Sequence, residues 1–99
     1  MCAASVRLAD ASTGHSCWPS RPNVEGSGDC FVNGKPQHRL GDSWPVHCCV
    51  NYPYPCHDGK ASQGSPTVFA NGKAKARIGD AISCGDFMAV GSPDYFING

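Results

Sequence analysis

Apolar and polar positions alternate most regularly between Lys73 and Ile78, where Ala74, Ala76 and Ile78 are interleaved with Lys73, Lys75 and Arg77. Successive strand side chains face opposite sides, so a period of two predicts a strand with the first set inward and the second outward. Just before it stands Asn71-Gly72. That dipeptide suits a type I′ turn, because it accepts positive φ at both central positions. A hairpin from Pro66 to Ile78 follows. The same register in an earlier stretch places Pro36, His38 and Leu40 inward and Lys35, Gln37 and Arg39 outward.

The pattern recurs because the chain repeats itself. Arg7-Leu8-Ala9-Asp10, Arg39-Leu40-Gly41-Asp42 and Arg77-Ile78-Gly79-Asp80 form one series. Phe31-Val32-Asn33-Gly34, Phe69-Ala70-Asn71-Gly72 and Phe96-Ile97-Asn98-Gly99 form a second, each Phe five residues after the glycine of Gly26-Ser27, Gly64-Ser65 or Gly91-Ser92. A repeated supersecondary unit needs its neighbours to bury a face. Three copies predict an all-β, pseudo-threefold body without substantial helix. Phe31, Phe69 and Phe96 are expected to pack between units, and Ala74 and Ala76 to suit a narrow centre. The third copy stops at Gly99, so the segment before Arg7 is expected to supply the strand after it, closing the ring and leaving fewer free edges.

Composition narrows the class. The 99 residues, with 12 Gly and 8 Pro, suit one small domain of turns and short strands over residues 1–99. Lys+Arg and Asp+Glu balance at 8 each, which gives no support for nucleic-acid or membrane-surface binding through bulk charge. No apolar run approaches a membrane span, and the first residues lack a signal-peptide pattern, so export by that route is not expected. Seven Cys fit a complete disulfide framework poorly. Synthesis in a reducing compartment, with a metal site and several free thiols, fits better. A domain with so little core needs a staple, and metal is one of the few available.

The loops after each Arg-x-x-Asp carry the candidate ligands. His15 and His47 lie five residues after Asp10 and Asp42, and Cys84 lies four after Asp80. Three equivalent loops would bring them together around one axis, as the base of a tetrahedron. The longest loop offers the fourth ligand in Cys56-His57. Neighbouring side chains in an extended segment diverge, so only one of the two should reach the metal. The chosen set is His15, His47, His57 and Cys84, a closed shell that suits structural zinc. Without His57 the site would keep an open position, as catalytic zinc does, with Asp58 or Asp86 as general base. No short-spaced hydrolytic zinc motif accompanies it, so the reading is non-enzymatic. His38 is expected to be a hydrogen-bonded interior histidine. Cys2, Cys17, Cys30, Cys48, Cys49 and Cys56 are expected to be packing residues or free thiols. Cys17 and Cys49 share an offset in their copies, which leaves one disulfide open.

Lys35-Pro36-Gln37-His38-Arg39-Leu40-Gly41-Asp42 and Lys73-Ala74-Lys75-Ala76-Arg77-Ile78-Gly79-Asp80 resemble the repeat that names the PAAR family. The segments from Gly64 to Gly72 and from Gly91 to Gly99 resemble that family's strands. The resemblance covers essentially the whole chain, although the proline-alanine-alanine-arginine core is degraded to Pro36-Gln37-His38-Arg39 and Ala74-Lys75-Ala76-Arg77. It implies a sharp conical domain capping a homotrimeric β-helical spike, one tip per trimer, in type VI secretion systems and contractile phage tails. It also implies one zinc held by three histidines and a cysteine, by position His15, His47, His57 and Cys84. Such a tip is assembled in the cytoplasm and delivered with the spike, meets the target membrane transiently, and in some members carries effector cargo. This chain is expected to be a tip alone. The alternatives are a stand-alone zinc-binding interaction module and, third, a zinc hydrolase.

Overall fold

In the computed structural model, which describes residues 2–53 and 55–98, every regular element is a strand. The elements are β1 (Cys2–Ala4), β2 (Phe31–Val32), β3 (Lys35–Pro36), β4 (Ser43–Cys48), β5 (Cys56–Lys60), β6 (Phe69–Ala70), β7 (Lys73–Ala74) and β8 (Phe96–Asn98). They form four antiparallel pairs, β1–β8, β2–β3, β4–β5 and β6–β7. The turns behave as their sequence requires: Asn33 and Gly34 lie at φ 55° and 76°, and Asn71 and Gly72 at 56° and 75°. The third such turn, at Asn98-Gly99, extends outside the described residues. β1 pairs with β8 in the register of the other two repeats: Ala4 faces Phe96 as Pro36 faces Phe31 and Ala74 faces Phe69. The segment before Arg7 therefore completes the third unit.

Past these short pairs the three copies join through single backbone bridges in cyclic order. Val6 N donates to Ala76 O (3.0 Å), Ala76 N to His38 O (3.0 Å) and His38 N to Val6 O (2.9 Å). One step outward, bridges link Ser5 to Arg77, Arg7 to Gln37 and Arg39 to Lys75. Such a ring satisfies backbone groups that a two-residue strand would otherwise leave buried and unpaired. The Gln37 side chain sits within it, donating to Val6 O (3.0 Å), His38 O (2.7 Å) and Ala76 O (3.4 Å) while its own oxygen accepts from Ser5 Oγ.

The Arg-x-x-Asp series has a common geometry. Arg7 grips Asp10 through Nε (2.8 Å) and Nη2 (3.1 Å), Arg39 grips Asp42 at 2.9 and 3.0 Å, and Arg77 grips Asp80 at 3.1 and 3.0 Å. In each copy the aspartate also accepts from the backbone N–H of its arginine, and its own N–H returns to the arginine carbonyl at 3.0 Å. The closed turn forces the residue before Asp into the left-handed region: Ala9 at φ 74°, Gly41 at 88° and Gly79 at 91°. The Gly-Ser pairs are equally specific. A Cβ on Gly26 would meet Pro36 Cβ at 2.8 Å, on Gly64 Ala74 Cβ at 2.9 Å, and on Gly91 Ser5 O at 2.8 Å. Ser27 Oγ donates to Asn71 (2.5 Å) and Ser92 Oγ to Asn33 (2.6 Å), so each serine ties its unit to a neighbouring Asn-Gly turn.

Three expectations about facing are corrected. Phe31, Phe69 and Phe96 do not pack between units; they are 57, 55 and 54 % exposed. Their successors Val32, Ala70 and Ile97 point inward instead, because the narrow centre takes the smaller side chain and alternation sends the ring outward. Leu40 and Ile78 are exposed rather than inward. Gln37 and Arg39 are buried and Arg77 half-buried, rather than outward, because the ion pairs and the carbonyl ring draw them in. Ala74, Ala76 and His38 are buried as the alternation predicts. The apolar core is small, comprising Val6, Trp44, Ala61, Ala76, Ile82 and Met88 with Cys84 against it.

Ala9 is the one copy without glycine at a strained turn position. Ala9→Gly should raise stability by about 1 kcal/mol, and Gly41→Ala should lower it by about the same or more. Denaturant titration checks both; a destabilising Ala9→Gly would contradict the strain.

Candidate metal centre

β4 and β5 are the longest strands and form a hairpin only in the second copy, so their tip carries what the repeat alone does not supply. His47 and His57 are directly paired across it, next to Cys48 and Cys56. Register therefore aims the two imidazoles to one side. His15 arrives on a tight reversal, His15 N donating to Trp18 O (3.0 Å) and Trp18 N to His15 O (2.8 Å), with Ser16 at φ 49°. Cys84 ends the third loop and is followed by Gly85 at φ 101°, where a Cβ would stand 3.2 Å from His15 Nδ1. On its other side, a Cβ on Gly59 would lie 3.3 Å from Cys84 Sγ.

These four side chains converge. One ligand atom from each of His15, His47, His57 and Cys84 lies within 4.8 Å of all the others, an arrangement that could hold a metal ion. The Nε2 atoms of His15 and His47 are 3.3 Å apart, those of His15 and His57 3.0 Å, and those of His47 and His57 2.6 Å. His47 Nδ1 is 2.8 Å from Pro19 O and 3.3 Å from Arg21 Nη1. Arginine can only donate and the carbonyl can only accept, so the two contacts ask opposite things of Nδ1. The shorter contact prevails: Nδ1–H donates to Pro19, which leaves the Nε2 lone pair facing the centre. His57 is held below its ordinary pKa by burial first and then by His47, His15 and Arg21, which keeps it neutral as a ligand must be. The donor set therefore fits zinc: three imidazoles and a thiolate, with the strong structural binding such a closed shell supplies.

The surroundings contain residues that the loop offsets did not single out. Trp18 stacks on His57 with ring centroids 4.5 Å apart and donates Nε1–H to Pro55 O (3.0 Å), covering one side of the cluster. Buried Arg21 donates to Cys84 Sγ (3.4 Å), Pro45 O (2.5 Å) and Asp86 Oδ2 (3.1 Å). The available signal was proximity to His15 in one short loop, with Pro19 between the two. Asp86 also accepts from Thr13 Oγ1 (2.5 Å) and Phe87 N (3.0 Å). Burial alone would raise its pKa, but hydrogen bonds from Thr13, Ser12 and Phe87 N–H outweigh that and hold the carboxyl below its ordinary value. A carboxylate so fully engaged is a strut for Arg21, not a general base, and Asp58, the other candidate base, is exposed on β5.

His38 is interior, as expected. Its Nδ1 donates to Glu25 O (2.7 Å) and its ring meets Trp44 edge-on, with centroids 5.3 Å apart. It lies apart from the four-residue cluster. The cysteine expectations need correction. Cys17–Cys49 is a disulfide, which the shared offset left open, and Cys48–Cys56 is a second. Among the described side chains only Cys30 and Cys84 are free thiols. The Cys48–Cys56 bond was hidden because it depends on the β4–β5 register, which has no counterpart in the other copies.

A family model described as PAAR motif matches residues 13–90, a span that holds all four converging side chains. No curated protein matches the chain.

Two histidine predictions follow from this geometry. His47→Ala should cost several kcal/mol more in zinc-loaded protein than after chelation, where only its buried ring and its bond to Pro19 are lost. His38→Ala should cost about 2–4 kcal/mol in both states, since it removes a buried ring. Thermal melts with and without chelator separate them; equal metal dependence would mean that the roles are misassigned. Burial holds His38 below its ordinary pKa, so neutral His38 contributes fully above about pH 6.5. That contribution is lost as pH falls from there toward the folded value. In chelated protein, stability should decline below about pH 6.5 more steeply for the wild type than for His38→Gln.

Proposed function

Since the chain belongs to the PAAR-motif family, we propose that it is a non-enzymatic, zinc-stabilised tip for a trimeric β-helical spike of a contractile injection machine. The machine is a phage tail baseplate or a type VI secretion system. On this reading the single domain is assembled in the cytoplasm of the host or producer cell. It leaves as part of the spike and meets the target envelope first. His15, His47, His57 and Cys84 would hold one zinc, tying the ends of three loops together. Structural zinc contributes on the order of 10 kcal/mol to folding in small domains. That is large beside the small apolar core.

The observation that carries the reading is the near-equal exposure of Phe31, Phe69 and Phe96, one from each copy, at 57, 55 and 54 %. Equivalent aromatic groups repeated three times suit a partner that offers three identical subunits, and aromatic residues are favoured anchors at interfaces. The cyclic backbone bridges among Val6, His38 and Ala76 support a pseudo-threefold arrangement, by which one chain would satisfy three subunits at once. A stand-alone zinc-binding module has no need of three matched rings. Of the two candidate bases for a hydrolase, Asp86 is committed to Arg21, Thr13 and Phe87.

Elemental analysis of untagged protein should find one zinc per chain; absence of stoichiometric metal would remove the staple. Reconstitution with a trimeric β-helical spike protein should give one copy of this chain per trimer by native mass measurement. Combined Phe31→Ser, Phe69→Ser and Phe96→Ser should abolish the complex while leaving zinc content unchanged. Three tips per trimer, or a complex indifferent to the phenylalanines, would refute the docking mode.

A further inference from the structure

The imidazole cluster is joined by an unusually short covalent circuit. His15 lies two residues before Cys17, whose disulfide partner Cys49 lies two residues after His47. His47 adjoins Cys48, and His57 adjoins that residue's partner Cys56. Each of the three histidines thus stands within two residues of a disulfide, and the two disulfides meet at the adjacent Cys48 and Cys49. The β4–β5 register, the Trp18 stack on His57 and the burial of His47 hold the histidines as well. The apolar core is built from Val6, Trp44, Ala61, Ala76, Ile82 and Met88, and no histidine of the cluster belongs to it. The His15 reversal is tied to the hairpin by two hydrogen bonds, Trp18 Nε1 to Pro55 O (3.0 Å) and His47 Nδ1 to Pro19 O (2.8 Å). The three Nε2 atoms lie 2.6–3.3 Å apart, so a small change in loop position alters their common geometry.

We propose that Cys17–Cys49 and Cys48–Cys56 are positioning disulfides of the metal centre, so that the chain's grip on metal depends on its redox state. This rests on the metal-binding reading above. The disulfides restrict the relative freedom of the three imidazoles, and preorganisation of ligands raises affinity by reducing what binding must order. A dithiol reductant donates two electrons and two protons to each disulfide, giving two thiols, and is itself oxidised to a disulfide. The two bonds differ in access. Cys48 and Cys56 are exposed, Cys17 is half-buried, and Cys49 is 4 % exposed. Reduction therefore begins at Cys48–Cys56 and loosens the end of the hairpin beside the His47–His57 pair. The released Cys48 and Cys56 thiols do not replace the histidines, because alternation along β4 and β5 turns them to the opposite face.

The test is competition for zinc by a chromophoric chelator. It compares air-oxidised protein, protein reduced with a dithiol and then freed of it anaerobically, and the oxidised double variants Cys48→Ser/Cys56→Ser and Cys17→Ser/Cys49→Ser. Reduction should weaken zinc binding by about 10–100-fold, the range seen when supports behind metal ligands are removed. Each double variant should show part of that loss and a correspondingly smaller response to reductant. Reoxidation of wild-type protein should restore the affinity, which separates lost positioning from irreversible unfolding. Thiol titration at partial reduction should find Cys48 and Cys56 alkylated before Cys17 and Cys49. Equal affinity in all states, tighter binding after reduction, or free thiols at Cys17, Cys48, Cys49 and Cys56 in the air-oxidised protein would each overturn the proposal. Absence of zinc in every state would instead fail the metal reading itself. An unchanged one-to-three spike complex alongside redox-independent zinc binding would sink only the positioning role.

Discussion

The arginine–aspartate clamp inside each repeat is the interaction on which the rest of the molecule depends. Its two parallel charge-assisted bonds are reinforced by a third from the arginine N–H, so the carboxylate has three donors within one tight turn. Burying such a pair is not in itself a source of stability, because desolvation offsets most of the attraction. Its value is geometric. A bidentate pair tolerates little rotation, so it fixes the direction in which the chain leaves each Asp. The loops that follow Asp10, Asp42 and Asp80 are those that deliver His15, His47 and Cys84 to one point. Removing one partner would leave an uncompensated buried charge as well as a misdirected loop.

What could be read in the sequence divides along physical lines. Local rules sufficed for the Asn-Gly turns, because two positive φ values in succession admit few residue types. Repetition sufficed for the convergence of His15, His47 and Cys84, since offsets of five, five and four residues in equivalent units place side chains similarly. The orientation of Phe31, Phe69 and Phe96 was misread because strands of two or three residues have too few positions for alternation to reveal which face is inner. Gln37 and Arg39 were misread because hydrophobicity governed the assignment where hydrogen bonding decides. The Cys48–Cys56 disulfide depends on a hairpin register found once in the chain, and neither periodicity nor repetition reports a feature of that kind.

The departures from repetition are as informative as the repeats. One glutamine, Gln37, offers its amide to carbonyls from all three copies, where the equivalent positions carry Ser5 and Lys75. The space among Val6 O, His38 O and Ala76 O has room for one side chain only, so three equal occupants would collide. His57 follows the same logic at the metal end. It enters on a strand that the other copies lack and completes a four-atom shell that three matched loops cannot close by themselves. Single-use residues therefore gather where the three units meet.

The pairing of Ala3 with Ile97 has a consequence for how the chain reaches this state. Contacts between residues so distant in sequence give a high contact order, and loop-closure entropy must be met before they reward the chain. The cyclic bridges of Ser5 with Arg77 and Arg39 with Lys75 depend on the same closure. During synthesis the third unit has no partner strand until β8 has emerged from the ribosome, although every metal ligand is already outside by then. The hairpins β2–β3, β4–β5 and β6–β7 can form from neighbouring segments before then, so local pairing precedes the closure that locks the units together.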